Sequence, residues 1–436
     1  MSAAAMLWRW GASLAAPLLP AYLRRRLARG KELAGRLEER RGFGAARPPG
    51  PLVWLHAASV GETLSLLPVV ETLAPRVQIL LTTGTVTSAA LLERRLPPAL
   101  RARVRHRFAP LDVPSWVKRF LDGWRPDVAA FVESELWPNM ILAARARSLP
   151  LVLLNARLSP RSAQRWRLAP RLGRELMGAF ALVLAQSEGD AARLAALGAP
   201  EVRVPGNLKE AVPPLPADPA ALAALRAAIG GRPVLLGAST HPGEEAILLE
   251  AHRLLAGAHP GLLTILAPRH PDRGAEVAAL AESLGLAARR RGEGALPEAE
   301  TAVYVADTLG EMGLFYRLAR VALVGGSLVP HGGHNPLEPA RLGCPILLGP
   351  HTANFADLAA RLLAAGGAGL VEPPEAAALA AAADGVLSHR DHGRRLAEAA
   401  AAALAPAEGL PGEVAEALLR LLPAQGPQWG QGPIDA

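Results

Sequence analysis

The feature that most constrains this chain is a repeated alternation of short apolar runs with longer Ala/Leu/Arg stretches of helical character. Each apolar run ends in turn-forming or polar residues, a pattern typical of a strand followed by a loop and a helix. Strands that alternate with helices in this way predict parallel α/β sheets. The predicted strands are 52–55, 77–81, 128–132, 151–154 and 182–185, then 234–237, 262–267, 303–305, 321–324 and 346–348.

A proline-rich stretch after residue 210 interrupts the alternation, which then restarts. With 436 residues, half of them apolar, the chain can fill two cores, so we predict two domains and a cleft between them. Ligands of such sheets bind beyond the carboxyl ends of the strands. The predicted organisation is an N-terminal segment 1–30, a first domain 31–210, a linker 211–219, a second domain 220–420 and a tail 421–436.

The first 23 residues are apolar apart from Arg9 and precede a basic run, residues 24–31. This order predicts membrane association, either as a spanning helix or, because Arg9 and two prolines interrupt the segment, as an interfacial one. A cleaved signal peptide is disfavoured because its positive charge would precede the apolar run. A helix packed on the protein itself is the alternative.

The formal net charge of +8 suits a nucleic acid, an anionic membrane or a phosphorylated substrate. With 4% aromatic residues and no recognition module, the sequence disfavours nucleic acid. The single cysteine, Cys344, excludes an intramolecular disulfide and favours a reducing compartment. Lys209 is one of three lysines in an arginine-rich chain, which makes it a candidate functional residue.

Polar residues follow several predicted strands of the first half. Glu62 comes after a Ser-Val-Gly turn at a predicted helix start, where it is either a helix cap or a general base for an attacking hydroxyl. His56 competes for the role of base, or is a packing residue. Beyond two further strands we expect a polar cluster that binds the acceptor, supports Glu62 or forms a structural network. Its members are Glu133, Glu135, Asn139 and Arg157.

Two loops of the second half are suited to an anion. Segment 237–245 follows a strand and opens a helix, so Ser239 and the free backbone N–H groups predict donor binding. Arg269 and Arg273 flank a proline-stiffened loop suited to a phosphate or a carboxylate. In a chain this rich in arginine, ordinary surface arginines are the alternative.

The glycine-rich segment 324–340 is the most specific motif. Its four glycines allow close approach of the backbone to a ligand, and Asn335, followed by proline, predicts a helix N-terminus aimed at a phosphate. Glu338, about one turn later, is placed to hold ribose hydroxyls. His331, His334 and Glu338 lack the helical His-Glu-x-x-His spacing, so we predict no metal site.

Together these segments resemble the 3-deoxy-D-manno-octulosonic acid (Kdo) transferases of lipopolysaccharide synthesis, from about residue 5 to residue 420. Several long motifs occur in one order, which makes a chance match improbable. The family commonly has an aromatic and an acidic residue after Gly-Asn-Leu-Lys, where Glu210 and Ala211 stand here. The matching segments are 56–62, 133–139, 206–209, 268–273, 307–311, 324–340 and 349–355.

The resemblance implies roles for individual residues. Glu62 is implied to be the general base, Glu135 or Glu133 a second important acidic group, and Lys209 and Arg269 the cationic contacts to the donor. A nucleotide cradle is implied for a further set of residues. These are Ser327, Gly332, Gly333, Asn335 and Glu338.

The resemblance also implies a function. It implies a GT-B fold of two Rossmann-like domains facing each other across a cleft, and inverting transfer of Kdo from CMP-Kdo to a lipid A precursor, lipid IVA. Neither a metal nor another cofactor is implied, and the expected location is the cytoplasmic face of the bacterial inner membrane. A sugar-nucleotide epimerase on the same fold is the rival, but it would not need the membrane-associated N-terminal segment.

Overall fold

The structure, a computed structural model, describes residues 1–211 and 213–423. They divide into two compact units, one formed by residues 1–211 with the C-terminal residues from 406, the other by residues 213–405. In the described residues each unit contains one seven-stranded parallel sheet with helices. The predicted α/β fold class is therefore confirmed.

The first unit has the strand order β3-β2-β1-β4-β5-β6-β7, so the order reverses between β1 and β4. The strands are β1 (Leu52–Ala57), β2 (Gln78–Thr83), β3 (Val104–Phe108), β4 (Val128–Val132), β5 (Leu151–Ala156), β6 (Leu182–Ala185) and β7 (Val202–Arg203). The helices up to residue 211 are α1 (Ala3–Ala15), α2 (Leu19–Ala28), α3 (Val60–Leu73), α4 (Val86–Arg95), α5 (Pro114–Trp124), α6 (Pro138–Arg145), α7 (Pro160–Trp166), α8 (Pro170–Met177) and α9 (Glu188–Ala196).

The second unit has the order β10-β11-β9-β8-β12-β13-β14, with the reversal between β8 and β12. The strands are β8 (Val234–Thr240), β9 (Leu263–Pro268), β10 (Ala288–Arg290), β11 (Val303–Val305), β12 (Val321–Val324), β13 (Ile346–Leu348) and β14 (Ala368–Leu370). The helices are α10 (Pro219–Ile229), α11 (Glu244–Ala256), α12 (Gly274–Ser283), α13 (Met312–Leu318), α14 (Leu337–Arg341), α15 (Ala356–Ala364), α16 (Ala376–Ser388) and α17 (Arg390–Leu404).

The central strands are apolar at nearly every position because helices cover both faces of each sheet. In β1, Val53 and Leu55 enter the core on one face, while Leu52 and Trp54 enter the core on the other. All four side chains are fully buried. The continuous apolar runs in the sequence follow from this two-sided burial.

Four strands have no counterpart among the predicted runs: β3, β7, β10 and β14. They are the two edge strands of each sheet. The middle of β3 is Arg105, His106 and Arg107, which are only partly buried, and β10 is likewise rich in arginine. An edge strand has a neighbour on one side only, so these positions do not require an apolar run.

The C-terminal helix α18 (Leu410–Arg420) corrects the predicted second domain, which we expected to continue to residue 420. Leu410, Val414 and Leu418 are buried in the core of the first unit, where α18 packs against α3. The predicted linker also differs, because the carbonyl of Leu215 accepts a hydrogen bond from Arg317 and so belongs to the second unit. Val212 of that linker and residues 424–436 of the predicted tail lie outside the described residues.

The N-terminal segment forms two helices, α1 and α2, with a break at residues 16–18. Within the described parts of the chain, every helix is too short or too polar to traverse a membrane. Helix α1 packs on the first unit, since Trp8 Nε1 donates to Asp112 at 2.8 Å and Ala5 is buried. Its opposite side, with Leu7, Trp10 and Leu14, is exposed.

Candidate active site

The predicted site residues gather at equivalent places in the two sheets. Arg157, Lys209 and Arg269 follow β5, β7 and β9, and the others lie at or after the ends of β1 and β4 in the first unit and of β8 and β12 in the second. These are the strand pairs between which each strand order reverses. The loops at such a reversal leave a crevice beyond the carboxyl ends of the strands, where α/β proteins bind ligands.

Glu62 lies in the first turn of α3, and its side chain and that of the N-cap residue Ser59 bond to each other at the start of the helix. The Ser59 hydroxyl accepts a hydrogen bond from the Glu62 backbone N–H at 3.3 Å, and it donates to Glu62 Oε1 at 2.7 Å. Glu62 Oε2 accepts from the Ala58 backbone N–H at 2.8 Å. The carboxylate therefore caps the helix, which is one of the two roles that the sequence allowed for Glu62. A carboxylate has about four acceptor positions, so capacity remains for a substrate hydroxyl.

Glu133 and Lys209 form an ion pair after β4. Asn155, at the end of β5, accepts a hydrogen bond from the Leu208 backbone N–H at 2.9 Å and so fixes the turn that carries Lys209. Glu133 and Asn155 both have positive φ values, 58° and 49°. Non-glycine residues in this conformation cluster at functional sites, because surrounding contacts must offset the strain.

Glu135 lies between the other acidic residues and a buried histidine. Burial raises the pKa of Glu135, and the negative charges of Glu62 and Glu133 raise it further, although a hydrogen bond from Trp137 opposes them. That bond joins Trp137 Nε1 to Glu135 Oε2 at 2.6 Å. His56 Nε2 lies 3.9 Å from the same oxygen. The structure thus brings together the acidic residues that the sequence singled out.

Asn139 and Arg157, predicted to contact or support the acceptor, make their hydrogen bonds to residues other than Glu62, Glu133 and Glu135. The Asn139 side chain donates to the Asp112 carbonyl at 2.7 Å, and its backbone N–H donates to the Asp112 carboxylate at 3.1 Å. These bonds anchor the start of α6. Arg157 has an exposed side chain, and its carbonyl accepts a hydrogen bond from Ser134. An acceptor role for either residue stays a prediction.

In the second unit, the loops after β8 and β12 approach each other closely. A Cβ at Gly325 would lie 2.4 Å from the carbonyl oxygen of Ser239, a residue whose own φ is 58°. Glu244, fully buried at the start of α11, joins the two loops. Its carboxylate accepts backbone hydrogen bonds from His241, Gly326 and Leu328 at 2.7–3.0 Å. Sequence reasoning missed this residue, whose only signal was a Glu-Glu pair at a helix start.

The two arginines of the loop after β9 have different surroundings. Arg273 donates to the buried carboxylate of Glu245 at 2.8 Å and also pairs with Glu276. Arg269 is exposed, and only its backbone N–H has a recorded hydrogen bond among the described residues. Its charge lowers the pKa values of His334 and Glu338, which places the guanidinium near the glycine-rich loop. Arg269 is therefore the arginine available to a ligand.

A group of histidines surrounds this loop, and sequence reasoning did not assign it to the site. The Nε2 atoms of His241 and His334 lie 2.8 Å apart, so one ring donates to the other. His331 stacks on His241 at 4.1 Å between ring centroids, and His270 contacts His241 edge-on at 6.4 Å. Burial, followed by the neighbouring His241 and Arg269, lowers the pKa of His334 to about 4. These rings can gain a proton if an anion is bound nearby.

The predicted nucleotide cradle contains both backbone and side-chain features. Gly332 and Gly333 have φ values of 87° and 75°, and a Cβ on either would collide with neighbouring atoms. Asn335 accepts a hydrogen bond from Leu337 N at 3.1 Å, ahead of α14. Burial raises the pKa of Glu338, against the opposing effects of Arg269 and Asn335.

Ser327 is used inside the loop. Its side chain is fully buried, its hydroxyl donates to the Val324 carbonyl, and its oxygen accepts from Gly349 N at 2.9 Å. A direct donor contact by Ser327 stays a prediction. Among residues 1–211 and 213–423, no group of three His, Cys, Asp or Glu side chains is arranged to hold a metal ion.

A family model and curated relatives identify one family. A family model described as "3-Deoxy-D-manno-octulosonic-acid transferase (kdotransferase)" matches residues 35–212. The 3-deoxy-D-manno-octulosonic acid transferase of Haemophilus influenzae is 37% identical over 372 residues, covering 84% of this chain and 86% of the relative. The enzyme of the same name from Bordetella pertussis is 40% identical over 336 residues, covering 75% and 78%.

Solved structures also resemble the chain. UDP-GlcNAc 2-epimerase from Neisseria meningitidis matches 85% of this chain and 100% of its own, with a TM-score of 0.58 and 14% identity. A glycosyltransferase from Rickettsia africae matches 86% and 100%, with a TM-score of 0.56 and 12% identity. At such low identity the likeness concerns the fold alone, which is of the two-domain GT-B type.

Proposed function

The chain belongs to the 3-deoxy-D-manno-octulosonic acid transferase family of glycosyltransferases, and we propose that its donor is CMP-Kdo and its acceptor the lipid A precursor lipid IVA. The product would be a Kdo-bearing lipid of lipopolysaccharide synthesis. The reaction is proposed to invert the anomeric centre and to need no metal. One observation carries this proposal. A chain of this family has a carboxylate cluster where the strand order of the first sheet reverses, and a loop suited to an anion where the strand order of the second sheet reverses.

In the proposed reaction, a hydroxyl of the acceptor attacks the anomeric carbon of Kdo. The bond from that carbon to the phosphate oxygen breaks, CMP departs with the electron pair, and Glu62 takes the hydroxyl proton. A single displacement of this kind inverts the configuration. Arg269, the backbone N–H groups of the glycine-rich loop and the histidines around it would stabilise the charge on the departing phosphate. Lys209 would add a second cation at the donor.

The acidic cluster supports the acceptor half of this proposal. Glu62, Glu133 and Glu135 lie after neighbouring strands β1 and β4, and the pKa of Glu135 is raised first by burial and then by the charges of the other two. Repulsion among carboxylates makes the cluster a poor site for an anionic donor but a good one for hydroxyl groups and their protons. The sugar hydroxyls of a lipid A precursor have this chemistry.

One incubation tests donor, acceptor and product together. Purified full-length protein is mixed with CMP-Kdo and tetra-acylated lipid A precursor, and the mass of the lipid product is recorded with and without excess EDTA. We expect the lipid to gain the mass of Kdo in both samples. An unchanged lipid would contradict the proposed substrates, and activity lost in EDTA but restored by magnesium or zinc would contradict metal independence.

We also propose that α1 lies in the cytoplasmic surface of the inner membrane. Leu7, Trp10 and Leu14 follow one another at helical spacing and are 74%, 69% and 77% exposed, so they form an apolar stripe. Basic residues follow in the next helix, α2, where Arg24 and Arg25 are exposed. An apolar stripe beside basic groups is typical of an interfacial helix on an anionic membrane.

Substitution of the stripe tests this location better than deletion of α1, because deletion would also remove the hydrogen bond between Trp8 and Asp112. The triple variant L7S/W10S/L14S should move much of the protein from the membrane fraction to the soluble fraction. Activity on detergent-dispersed acceptor should remain. A wild-type protein found wholly in the soluble fraction at low salt would contradict the proposal.

A further inference from the structure

His56 takes part in a chain of hydrogen bonds that bears on which of its two ring nitrogens, Nδ1 or Nε2, carries the proton. Trp54 Nε1 is 2.8 Å from Thr82 Oγ1, and this oxygen is 2.9 Å from His56 Nδ1. An indole N–H can only donate, so the Thr82 oxygen accepts from Trp54 and its own hydrogen is free for another partner. His56 Nδ1 is a closer acceptor than the Leu55 carbonyl, which is 3.4 Å away. Donation from the Thr82 hydroxyl to Nδ1 leaves the proton of the neutral ring on Nε2, whereas donation to the Leu55 carbonyl would leave it on Nδ1.

The other side of the ring is unpaired. His56 is 2% exposed, and Nε2 has no hydrogen-bond partner among the described residues. Burial lowers the pKa of His56 to about 4, against a hydrogen-bonding effect of the Thr82 backbone that raises it and with a smaller lowering effect from the charge of Arg40, so the ring is neutral at physiological pH. A buried N–H without an acceptor is unfavourable, and the carboxylate oxygen recorded nearest to it is Glu135 Oε2, at 3.9 Å.

We infer that His56 is a positioning residue whose neutral Nε2–H donates to Glu135 when the acceptor sugar is bound. Hydrogen bonds at catalytic sites are often long in the free enzyme and shorten in the complex, so the gap of 3.9 Å fits such a step. The bond would hold Glu135 ionised and orient its other oxygen towards an acceptor hydroxyl, while Glu62 receives the proton. This inference rests on the proposed function.

The surrounding charges explain why Glu135 needs such a donor. Its burial and the like charges around it favour the protonated form, which accepts hydrogen bonds from sugar hydroxyls less well. A hydrogen bond from a neutral N–H favours the ionised form without adding a charge that would attract the anionic donor. The titratable and charged groups that face His56 or Glu135 are Arg40, Glu62, Glu133 and, through its pair with Glu133, Lys209.

Two amide variants separate positioning from packing. The amide nitrogen of His56→Gln reaches the place of Nε2 and keeps a donor, whereas that of His56→Asn reaches only the place of Nδ1. We expect His56→Asn to lower kcat roughly 10- to 100-fold, the effect of losing a hydrogen bond to a charged group. The acidic limb of its pH–rate profile should move to higher pH, because Glu135 would protonate more readily. His56→Gln should stay within about threefold of wild type, with the KM for CMP-Kdo unchanged in both.

The Glu135→Gln background provides the control. There His56→Asn should cause little further loss, since the carboxylate that it serves is gone. Equal losses in both amide variants, an unmoved pH profile, or an undiminished loss in the Glu135→Gln background would each overturn the inference and leave His56 as a packing residue.

A measurement on the resting wild-type protein needs no activity and no altered fold. The ¹⁵N chemical shifts of the His56 ring, identified by their absence from the spectrum of the His56→Asn variant, report the tautomer directly. We expect a protonated Nε2 and an unprotonated Nδ1, and the opposite tautomer would overturn the inference. If wild-type protein shows this tautomer but transfers no Kdo, the proposed function fails while the assignment of the ring proton stands.

Discussion

The loops after the central strands carry mainly carboxylates in the first unit and mainly arginine, histidine and glycine in the second. The strand order of each sheet reverses in the middle, and both sets of residues follow strands at that reversal or next to it. The acidic set is suited to hydroxyl groups and proton transfer, and the basic set is suited to a phosphate. The two similar backbones therefore provide equivalent positions for a ligand at the ends of their central strands. The side chains that follow those strands decide the chemistry at each position.

Among changes to the acidic residues of the first unit, loss of the Glu62 carboxylate should have the largest effect on the transfer rate. Glu62→Gln should lower the transfer rate by roughly two to four orders of magnitude, the usual contribution of a general base. Glutamine keeps a side-chain oxygen that can accept from the Ala58 backbone N–H, so the helix start and CMP binding should be kept. Initial rates, with calorimetric titration of CMP, measure both effects. Glu71→Gln, on the exposed side of the same helix, is the control, and near wild-type turnover in Glu62→Gln would remove this residue from the mechanism.

The two arginines of one loop offer a sharper test of the basic half. Arg269→Ala should weaken CMP binding about 10- to 100-fold, because it removes a charged hydrogen-bond donor from the phosphate site. Arg273→Ala should instead lower the free energy of unfolding by about 3 kcal/mol, because it leaves the buried Glu245 carboxylate without its cation. Calorimetry and urea unfolding separate these results, and the reverse assignment of effects would contradict our description of the loop.

His106, in the edge strand β3 of the first unit, is a partly buried histidine whose ring stays neutral in the folded protein. Burial, aided by Arg36 and Arg107, lowers the pKa of His106 to about 3. An unfolded histidine takes up a proton below about pH 6.5, whereas this folded one does not until about pH 3, so stability is lost as pH falls through that interval. At pH 5 the expected loss from His106 is about 2 kcal/mol.

Urea unfolding at pH 7 and pH 5 measures this loss. In His106→Gln the decrease in unfolding free energy between the two pH values should be smaller than in wild type by about that amount. His389→Gln, at an exposed position, is the control. Identical pH dependence in His106→Gln and wild type would contradict the prediction.

Lys209 is the cation within the acidic set, and its loss has the smallest expected effect. Lys209→Ala should raise the KM for CMP-Kdo roughly fivefold, the effect of one partly exposed hydrogen-bonding charge. Lys118→Ala, which removes another lysine with a surface carboxylate partner, is the matched control. Steady-state kinetics with varied donor decide the matter. An unchanged donor KM would assign Lys209 to holding Glu133 alone.

Much of the fold was predictable because covered strands need continuous apolar runs. Strands β4, β6, β11, β12 and β13 coincide with the predicted runs at both ends. The edge strands escaped prediction because one open side relaxes that requirement, so Arg105, His106 and Arg107 can occupy β3. The helix α18 escaped for another reason. Its apolar residues predict that it packs against a hydrophobic core, but the sequence does not show which of the two cores that is.

The sequence predicted where the residues of the candidate site lie along the chain better than it predicted which residues they contact. Polar residues after apolar strands located Glu62, Glu133 and Glu135 correctly at one sheet end. The sequence could not tell Arg269 from Arg273, because the difference depends on Glu245, a neighbour contributed by the first turn of α11. Nor could it show that Glu62 caps a helix with both oxygens, because either interpretation fits an acidic residue in the first turn.

The return of α18 to the core of the first unit makes the second unit an insertion within the first. The ribosome completes residues 213–405 before it releases the segment that fills the groove beside α3, so the first unit cannot finish its own packing until after the second has emerged. Early termination of translation just before Leu410 would thus harm the part of the protein made first. Correct folding of the first unit should therefore depend on α18.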